Sequence, residues 1–265
     1  MAPPRDESRD TNLQIAVSDK DFIDTLAKGL RIIETFELAT TRLTLSEVAA
    51  RAGATRAAAR RFLLTLTALG YMRQDGRHFM LTPKVLVLSR SQLGGNRLFR
   101  AAQPLLDAIA ESTMESASAA VLTGADILFV ARAQSPRPVS INVAVGTRLP
   151  AFCTAMGKVL LGELAEPAVR LLLTQTPPRR RSPFTHIDID EIVAETRRAR
   201  ELGYATSIEE FEPGMNTIAV PVRNPLSDTG LSLGISVPAR RMSAQQMLDE
   251  LLPQLQDAAE RLAVA

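Results

Sequence analysis

Two stretches of the chain carry residues whose type and spacing could do chemistry. The first is Thr55-Arg56-Ala57-Ala58-Ala59-Arg60-Arg61. Residues four apart on a helix share a face, so Arg56 and Arg60 would project together with Arg61 beside them. A guanidinium fork matches the paired acceptors of a guanine edge and the oxygens of a phosphate. The neighbouring Thr55 hydroxyl and a helix N-terminus also suit phosphate. Ser46, Thr55, Arg56, Ala57, Arg60 and Arg61, with Arg73 and Arg77 further on, form the candidate DNA-binding set. The second stretch is Cys153-Thr154-Ala155-Met156-Gly157. Thr154 can cap a helix there, and the free N–H groups and positive dipole end of such a helix favour a carboxylate. Ala155 is small enough for a ligand to approach the backbone.

Charge supports the first site. The 265-residue chain has a formal net charge of only +2. Between residues 28 and 82 there are nine Lys or Arg against four Asp or Glu, a local +5. The remainder is therefore net acidic, and the positive field is concentrated where phosphate contact is expected.

The elements that must position these residues follow from periodicity. Leu26, Leu30, Ile33 and Phe36 recur at helical spacing and predict a first helix with these side chains on its apolar face. Thr44 can cap a second helix carrying Leu45, Val48, Ala49 and Ala52. Gly53 suits the left-handed position that turns the chain. Thr55 then starts a third helix to about Leu69, with Ala59, Phe62, Leu63, Leu66 and Leu69 inward, and Gly70 ends it. Asp75-Gly76 between two short alternating runs predicts a β-hairpin with Arg73 and Arg77 near its tip. Three helices and a hairpin make a winged helix-turn-helix. Pro83 starts a further helix whose apolar Val85, Leu86, Leu88 and Leu93 are a candidate dimer contact.

Beyond Gly94-Gly95 a helix is expected from Leu98 to about Ser116. Strands are expected at 119–122, 127–130, 139–143, 204–208, 217–223 and 230–237. Helices are expected at 154–164, 167–174 and 188–202, with an amphipathic helix at 243–262 closing the chain. The expected fold class is α+β: a winged helix-turn-helix, a linker helix, and an α/β domain whose mixed, largely antiparallel sheet is flanked by helices. The boundaries are a disordered arm at 1–21, the DNA-binding domain at 22–82, the linker at 83–97 and an effector-binding domain at 98–265.

In combination, several runs resemble regulators of the IclR family. In the N-terminal part these are Lys28-Gly29-Leu30-Arg31-Ile32-Ile33, Leu45-Ser46-Glu47-Val48-Ala49, Ala59-Arg60-Arg61-Phe62-Leu63 and Leu69-Gly70-Tyr71. In the C-terminal part they are Gly146-Thr147-Arg148-Leu149-Pro150-Ala151, Thr154-Ala155-Met156-Gly157-Lys158-Val159-Leu160-Leu161 and Ile218-Ala219-Val220-Pro221-Val222. Leu149 to Lys158 and Ala58 to Leu63 look closest to the branch that regulates catabolism of protocatechuate, 4-hydroxybenzoate and related aromatic acids. Met215-Asn216-Thr217 departs from the Leu-Arg-Ser type of sequence usual there. The resemblance implies an effector site that includes Ile141, Ala155, Met156, Ser207, Thr217, Gly234 and Ser236. Thr154 adds the cap, and Phe152 and Ile141 would supply apolar walls.

The resemblance thus implies a transcriptional regulator that binds double-stranded operator DNA and answers to a small organic acid. An aromatic acid is the first reading; a short-chain keto acid and a ligand-independent DNA binder stay open. A homodimer, able to pair into a tetramer, fits two half-sites. An activator would also contact RNA polymerase. An enzyme is not expected: Cys153 has no base at a recognisable motif, and the chain has only two histidines. No cofactor and no metal are expected. Glu209-Glu210-Phe211-Glu212 reads as a solvated acidic loop, and Pro177 to Pro183 as a solvated basic turn. The absence of a secretory core or of a long apolar run points to the cytoplasm.

Overall fold

The computed structural model describes residues 21–36, 40–89, 97–135, 143–224 and 230–264. Two compact units divide the chain, one on each side of residues 95–96.

In the first unit, capping fixes where each helix begins. Helix α1 spans Asp24–Glu34, and strand β1 (Leu43–Thr44) runs directly into α2 (Leu45–Arg51). Thr44 accepts the Glu47 N–H at 3.4 Å, while the Glu47 carboxylate accepts the Thr44 N–H at 2.7 Å. This reciprocal capping box satisfies two otherwise orphaned donors. Its hydrogen bonds hold the Glu47 carboxyl below the ordinary carboxylate value. Gly53 takes φ +61°, and the Ala54 N–H reaches back to the Ala49 carbonyl at 2.9 Å, closing α2. Helix α3 (Arg56–Ala68) starts with Thr55 accepting the Ala58 N–H at 3.2 Å. At its far end Lys84 donates to the Leu69 carbonyl at 2.7 Å, and Thr82 donates to the Gly70 carbonyl at 2.6 Å.

Strands β2 (Met72–Asp75) and β3 (His78–Leu81) form the hairpin, and β1 adds to the other edge of β3. Ile32, Leu43, Val48, Leu63, Met72 and Phe79 make the core of this unit. Part of the expected burial is corrected. Ile32 is the fully buried residue of α1, with Ile33 and Phe36 packed beside it, whereas Leu26, Leu30 and Leu69 are exposed. The first helix therefore offers a narrower apolar stripe to its own core than its spacing implied. After a 3-10 turn at Pro83–Val85, α4 is described over Leu86–Ser89. Leu86 and Leu88 are exposed, and Leu93 lies outside the described residues. The arm expected at 1–21 also lies outside them, apart from Asp21.

The second unit starts with α5 (Arg97–Thr113), β4 (Ser116–Thr123), β5 (Asp126–Ala133) and β6 (Arg148–Pro150). Helices α6 (Ala155–Gly162), α7 (Glu166–Gln175) and α8 (Ile189–Leu202) follow, then β7 (Ala205–Ile208), β8 (Met215–Val222) and β9 (Leu231–Pro238). The chain closes with α9 (Ala244–Gln246), a π-helical turn over Met247–Leu251, and α10 (Leu252–Ala263). The expected single terminal helix is thus interrupted; Pro253 stands in the first turn of α10.

The six strands form one antiparallel sheet in the order β6-β5-β4-β9-β8-β7. Both faces are covered. Leu231, Leu233, Ile235 and Val237 point to α5 and α10, while the alternate face meets α6 to α8. Burying a side chain such as Leu233 on this sheet contributes about 1.5–3 kcal/mol. Most of the strand expected at 139–143 lies outside the described residues; β6 was not anticipated. No described helix is long and apolar enough to cross a membrane.

Candidate nucleic-acid face and effector cavity

The candidate DNA-binding residues gather on the first unit. Ser46 is exposed in the opening turn of α2, and Thr55, Arg56, Ala57, Arg60 and Arg61 are exposed along the start of α3. Buried Ala59 and Leu63 anchor the opposite side of that helix. Arg73 and Arg77 are exposed on the hairpin, whose tip turns at Gly76 with φ +57°. Arg42 pairs with Asp75 at 2.7 Å, which neutralises the one acid at this tip. Arg56, Arg60, Arg61, Arg73 and Arg77 have no acidic partner among the described residues. An arginine cluster left without counter-charges is suited to a polyanion.

The second unit holds a cavity between the sheet and the start of α6. Thr154, Ala155, Met156, Ser207, Thr217 and Ser236 line it. Strand register brings the hydroxyls together: Ser207 faces Thr217, Thr217 faces Ser236, and Ser236 faces Ser116. Four strands thus lay a transverse row of hydroxyls on one face. Thr154 caps α6 by accepting the Gly157 N–H at 3.2 Å. Ser207 donates to the Cys153 carbonyl at 2.9 Å, so its hydroxyl also pins the turn before α6.

Two glycines permit the close packing. A Cβ on Gly157 would lie 2.1 Å from the Ala151 carbonyl oxygen. A Cβ on Gly234 would lie 2.8 Å from the Met156 side chain. Gly234 therefore stands beneath Met156, away from the cavity lining. Phe152 is buried in the core between sheet and helices and does not line the cavity either. Ile127, Phe129, Val143, Leu149 and Phe211 supply the apolar walls instead. Ile141 lies outside the described residues.

The most informative lining residue was not anticipated. Arg132 on β5 reaches the cavity, where its Nη1 donates to Ser118 Oγ at 3.0 Å. Its Nε is buried with no hydrogen-bond partner, and it has no ion pair among the described residues. Burial lowers the pKa of its guanidinium from the ordinary value. A cation desolvated without a counter-charge is costly, and an incoming carboxylate would offset that cost. The alternation along β5 hides this residue. Ala120 pairs with Phe129, but Ala119 pairs with Ala131, leaving Val130 as a bulge. Ile127 and Phe129 face the cavity before the bulge, and after it Arg132 does while Ala131 and Ala133 turn to the other face.

Two sequence readings are corrected near the cavity. Glu210 is 7% exposed and paired with the buried Lys158, so 209–212 is not simply a solvated acidic loop. Ser182 and Thr185 are buried against the Glu210 carbonyl, so the end of the basic turn is packed. Cys153 is fully buried, and its thiol is pushed up to about 12, chiefly by burial. A thiol in that environment is a packing group.

The arrangement matches known proteins over nearly its whole length. Residues 25–76 match the IclR helix-turn-helix domain, and residues 91–264 match the bacterial transcriptional regulator IclR C-terminal domain. The chain is 35% identical over 263 residues to the Pca regulon regulatory protein of Pseudomonas putida, covering 99% of this chain and 90% of that one. It is 35% identical over 251 residues to the p-hydroxybenzoate hydroxylase transcriptional activator of Acinetobacter baylyi, covering 93% of each. The crystal structure of a double mutant of the PobR inducer-binding domain from Acinetobacter, in complex with 3-hydroxybenzoic acid, superposes with TM-score 0.59 and 30% identity. That match covers 63% of this chain and 98% of the other. The winged helix with its unpaired arginines, the antiparallel sheet of the second unit and these matches agree: the chain belongs to the IclR family of DNA-binding transcriptional regulators.

Proposed function

We propose that the C-terminal unit senses a small aromatic carboxylate, of the 4-hydroxybenzoate or protocatechuate type, and that occupancy alters operator binding by the winged helix. In this reading residues 22–82 bind DNA, 83–97 link, and 98–265 bind the effector. The observation that carries it is Arg132. Its unpartnered Nε, in a cavity walled by Ile127, Phe129 and Leu149, is an anchor for a carboxylate beside an apolar ring site. Thr217, Ser236 and Glu212, also in the lining, offer partners for ring hydroxyls. The similarity to the p-hydroxybenzoate hydroxylase transcriptional activator and to the PobR inducer-binding domain in complex with 3-hydroxybenzoic acid supports the same ligand class.

On the DNA side, Arg56, Arg60 and Arg61 would enter a major groove, with Thr55, Ala57 and Ser46 approaching its backbone. Arg73 and Arg77 would contact the backbone or minor groove from the wing. A homodimer presents two such helices to two half-sites. Ligand can change operator affinity only by binding one arrangement of that dimer better than another. The chain acts in the cytoplasm, where its operator lies.

A short-chain keto acid is the second reading, favoured by the size of the cavity, about 50 Å³. A ring requires the walls to give, and Met156, Met215 and Phe211 are the side chains able to do so. Calorimetric titration with 4-hydroxybenzoate, protocatechuate, pyruvate and glyoxylate separates the two. Binding of an aromatic acid that disappears in Arg132→Gln supports the first reading. Binding of only a keto acid overturns it.

A further inference from the structure

Between α6 and the 209–215 segment lies a charge cluster that the proposed effector contacts do not use. Lys158 is 4% exposed, yet its ammonium carries a full set of acidic neighbours. Nζ lies 2.6 and 2.7 Å from the two carboxylate oxygens of Glu210 and 2.8 Å from Glu195 on α8. Glu195 in turn contacts His186.

The position of the pair matters more than its charge. Lys158 sits one turn into the helix that begins with Thr154, Ala155 and Met156, all lining the cavity. Glu210 belongs to the segment that brings Phe211, Glu212 and Met215 to the same cavity. That segment is held at several points. Thr185 and Ser182 donate to the Glu210 carbonyl at 2.6 and 3.1 Å, and the Arg181 guanidinium lies 5.2 Å from the centre of the Phe211 ring. Gly214 N–H donates to the Glu209 carboxylate at 2.7 Å, and Glu209 itself sits at φ +55°, a left-handed conformation that a non-glycine residue holds only when its surroundings impose it. Lys158 and Glu210 supply the ionic tie between the two walls.

We propose that the Lys158–Glu210 pair is a positioning clasp. It fixes the 209–215 wall against the start of α6 and thereby sets effector affinity without touching the effector. A buried ion pair is a poor source of stability compared with an apolar pair of similar volume, but it is directional and tolerates little displacement. Burial pushes the Glu210 carboxyl upward despite the lysine, so the fold keeps a costly arrangement at the wall that must give to admit a ring. The effect on affinity rests on the effector reading above; the effect on the wall does not.

The test uses the full chain, with Lys158→Met/Glu210→Leu removing the pair together, because Lys158→Met alone strands the buried Glu210 carboxylate and can fail to fold; Glu195 keeps its contact with His186. Lys158→Arg is the conservative control that keeps the ion pair. Hydrogen–deuterium exchange and calorimetric binding of 4-hydroxybenzoate are read side by side, with melting temperature and ligand-free operator binding as fold controls. The double variant is expected to stay folded and bind operator. Its 209–215 amides should exchange roughly tenfold faster and its ligand affinity should fall roughly tenfold, while Lys158→Arg restores both most of the way. Unchanged exchange over 209–215 overturns the clasp whatever ligand the protein takes. Faster exchange with unchanged affinity overturns its positioning role. Failure of the wild-type chain to bind 4-hydroxybenzoate counts against the aromatic reading alone, and the exchange arm still decides the clasp.

Discussion

The proposed DNA face of α3 and the proposed effector cavity present opposite ways of holding an anion. On α3 the cations stand in water, within six residues of one another, with no counter-charge among the described residues. In the second unit the one cation in the cavity lining, Arg132, is partly buried with no ion pair among the described residues, and the groups around it come from β4, β7, β8 and β9 and the start of α6. The exposed face suits a polyanion: each contact is modest, salt weakens them together, and many are needed. The proposed effector site suits one small carboxylate: a charge-assisted contact to a partly desolvated guanidinium is strong, and a ligand lacking the charge leaves it unpaired. Substitutions should therefore separate along this line, and five of them sharpen or break it.

The largest effect is expected at the packing beneath the cavity. Gly157→Val would drive a side chain into the Ala151 backbone, 2.1 Å from where its Cβ would stand. A loss of more than about 4 kcal/mol is expected, read as loss of the cooperative thermal transition; a melting temperature close to wild type would show that the turn before α6 is softer than its geometry. Arg132→Gln comes next. It should weaken aromatic-acid binding about 10- to 100-fold, from the loss of a charge-assisted bond worth about 1.5–3 kcal/mol, while ligand-free operator binding stays unchanged in a mobility-shift assay. If operator binding fell equally, the two anion sites would not be separable.

Arg60→Ala should do the converse, costing roughly 1–3 kcal/mol of operator affinity and leaving calorimetric ligand binding intact. Arg73→Ala, on the wing, should lower affinity across operator sequences alike and reduce the salt slope by about one. The smallest effect concerns Glu47 in the capping box. Its carboxyl is held below the ordinary value by Thr44, so its contribution is present above the unfolded value and is lost as pH falls through the lower folded one. Glu47→Gln should flatten the acid limb of stability slightly, measured by denaturant unfolding across pH; a steeper limb would contradict the cap.

Much of the first unit was legible in the sequence because its signals are local. Thr44, Gly53, Thr55 and Asp75-Gly76 each fix a cap or a turn within a few residues, and the α3 arginines need only helical spacing to share a face. The exceptions were Leu26, Leu30 and Leu69, apolar residues at good spacing that the small core does not reach. In the second unit Thr154 was found from its capping position and Ala155, Met156, Ser207, Thr217 and Ser236 by resemblance to the family, and all line one cavity. Arg132 and Ser116 were missed. So was the burial of Lys158 and Glu210, because a charged residue is normally solvated unless a partner distant in sequence is brought to it, here 52 positions away.

By itself the sequence determined most of the element order, the winged helix and the helix start at Thr154, since caps, turns and periodicity act over a few residues; the hydroxyls of the sheet face came from resemblance to the family. Only the tertiary structure decided which residues share the cavity. Strand pairing set the row from Ser207 through Thr217 and Ser236 to Ser116. One bulged residue, Val130, sent Arg132 to the cavity face. The physical reason is that a strand's side chains alternate with a period of two, so one extra residue reverses every facing beyond it, and no local pattern in the sequence marks where that residue falls.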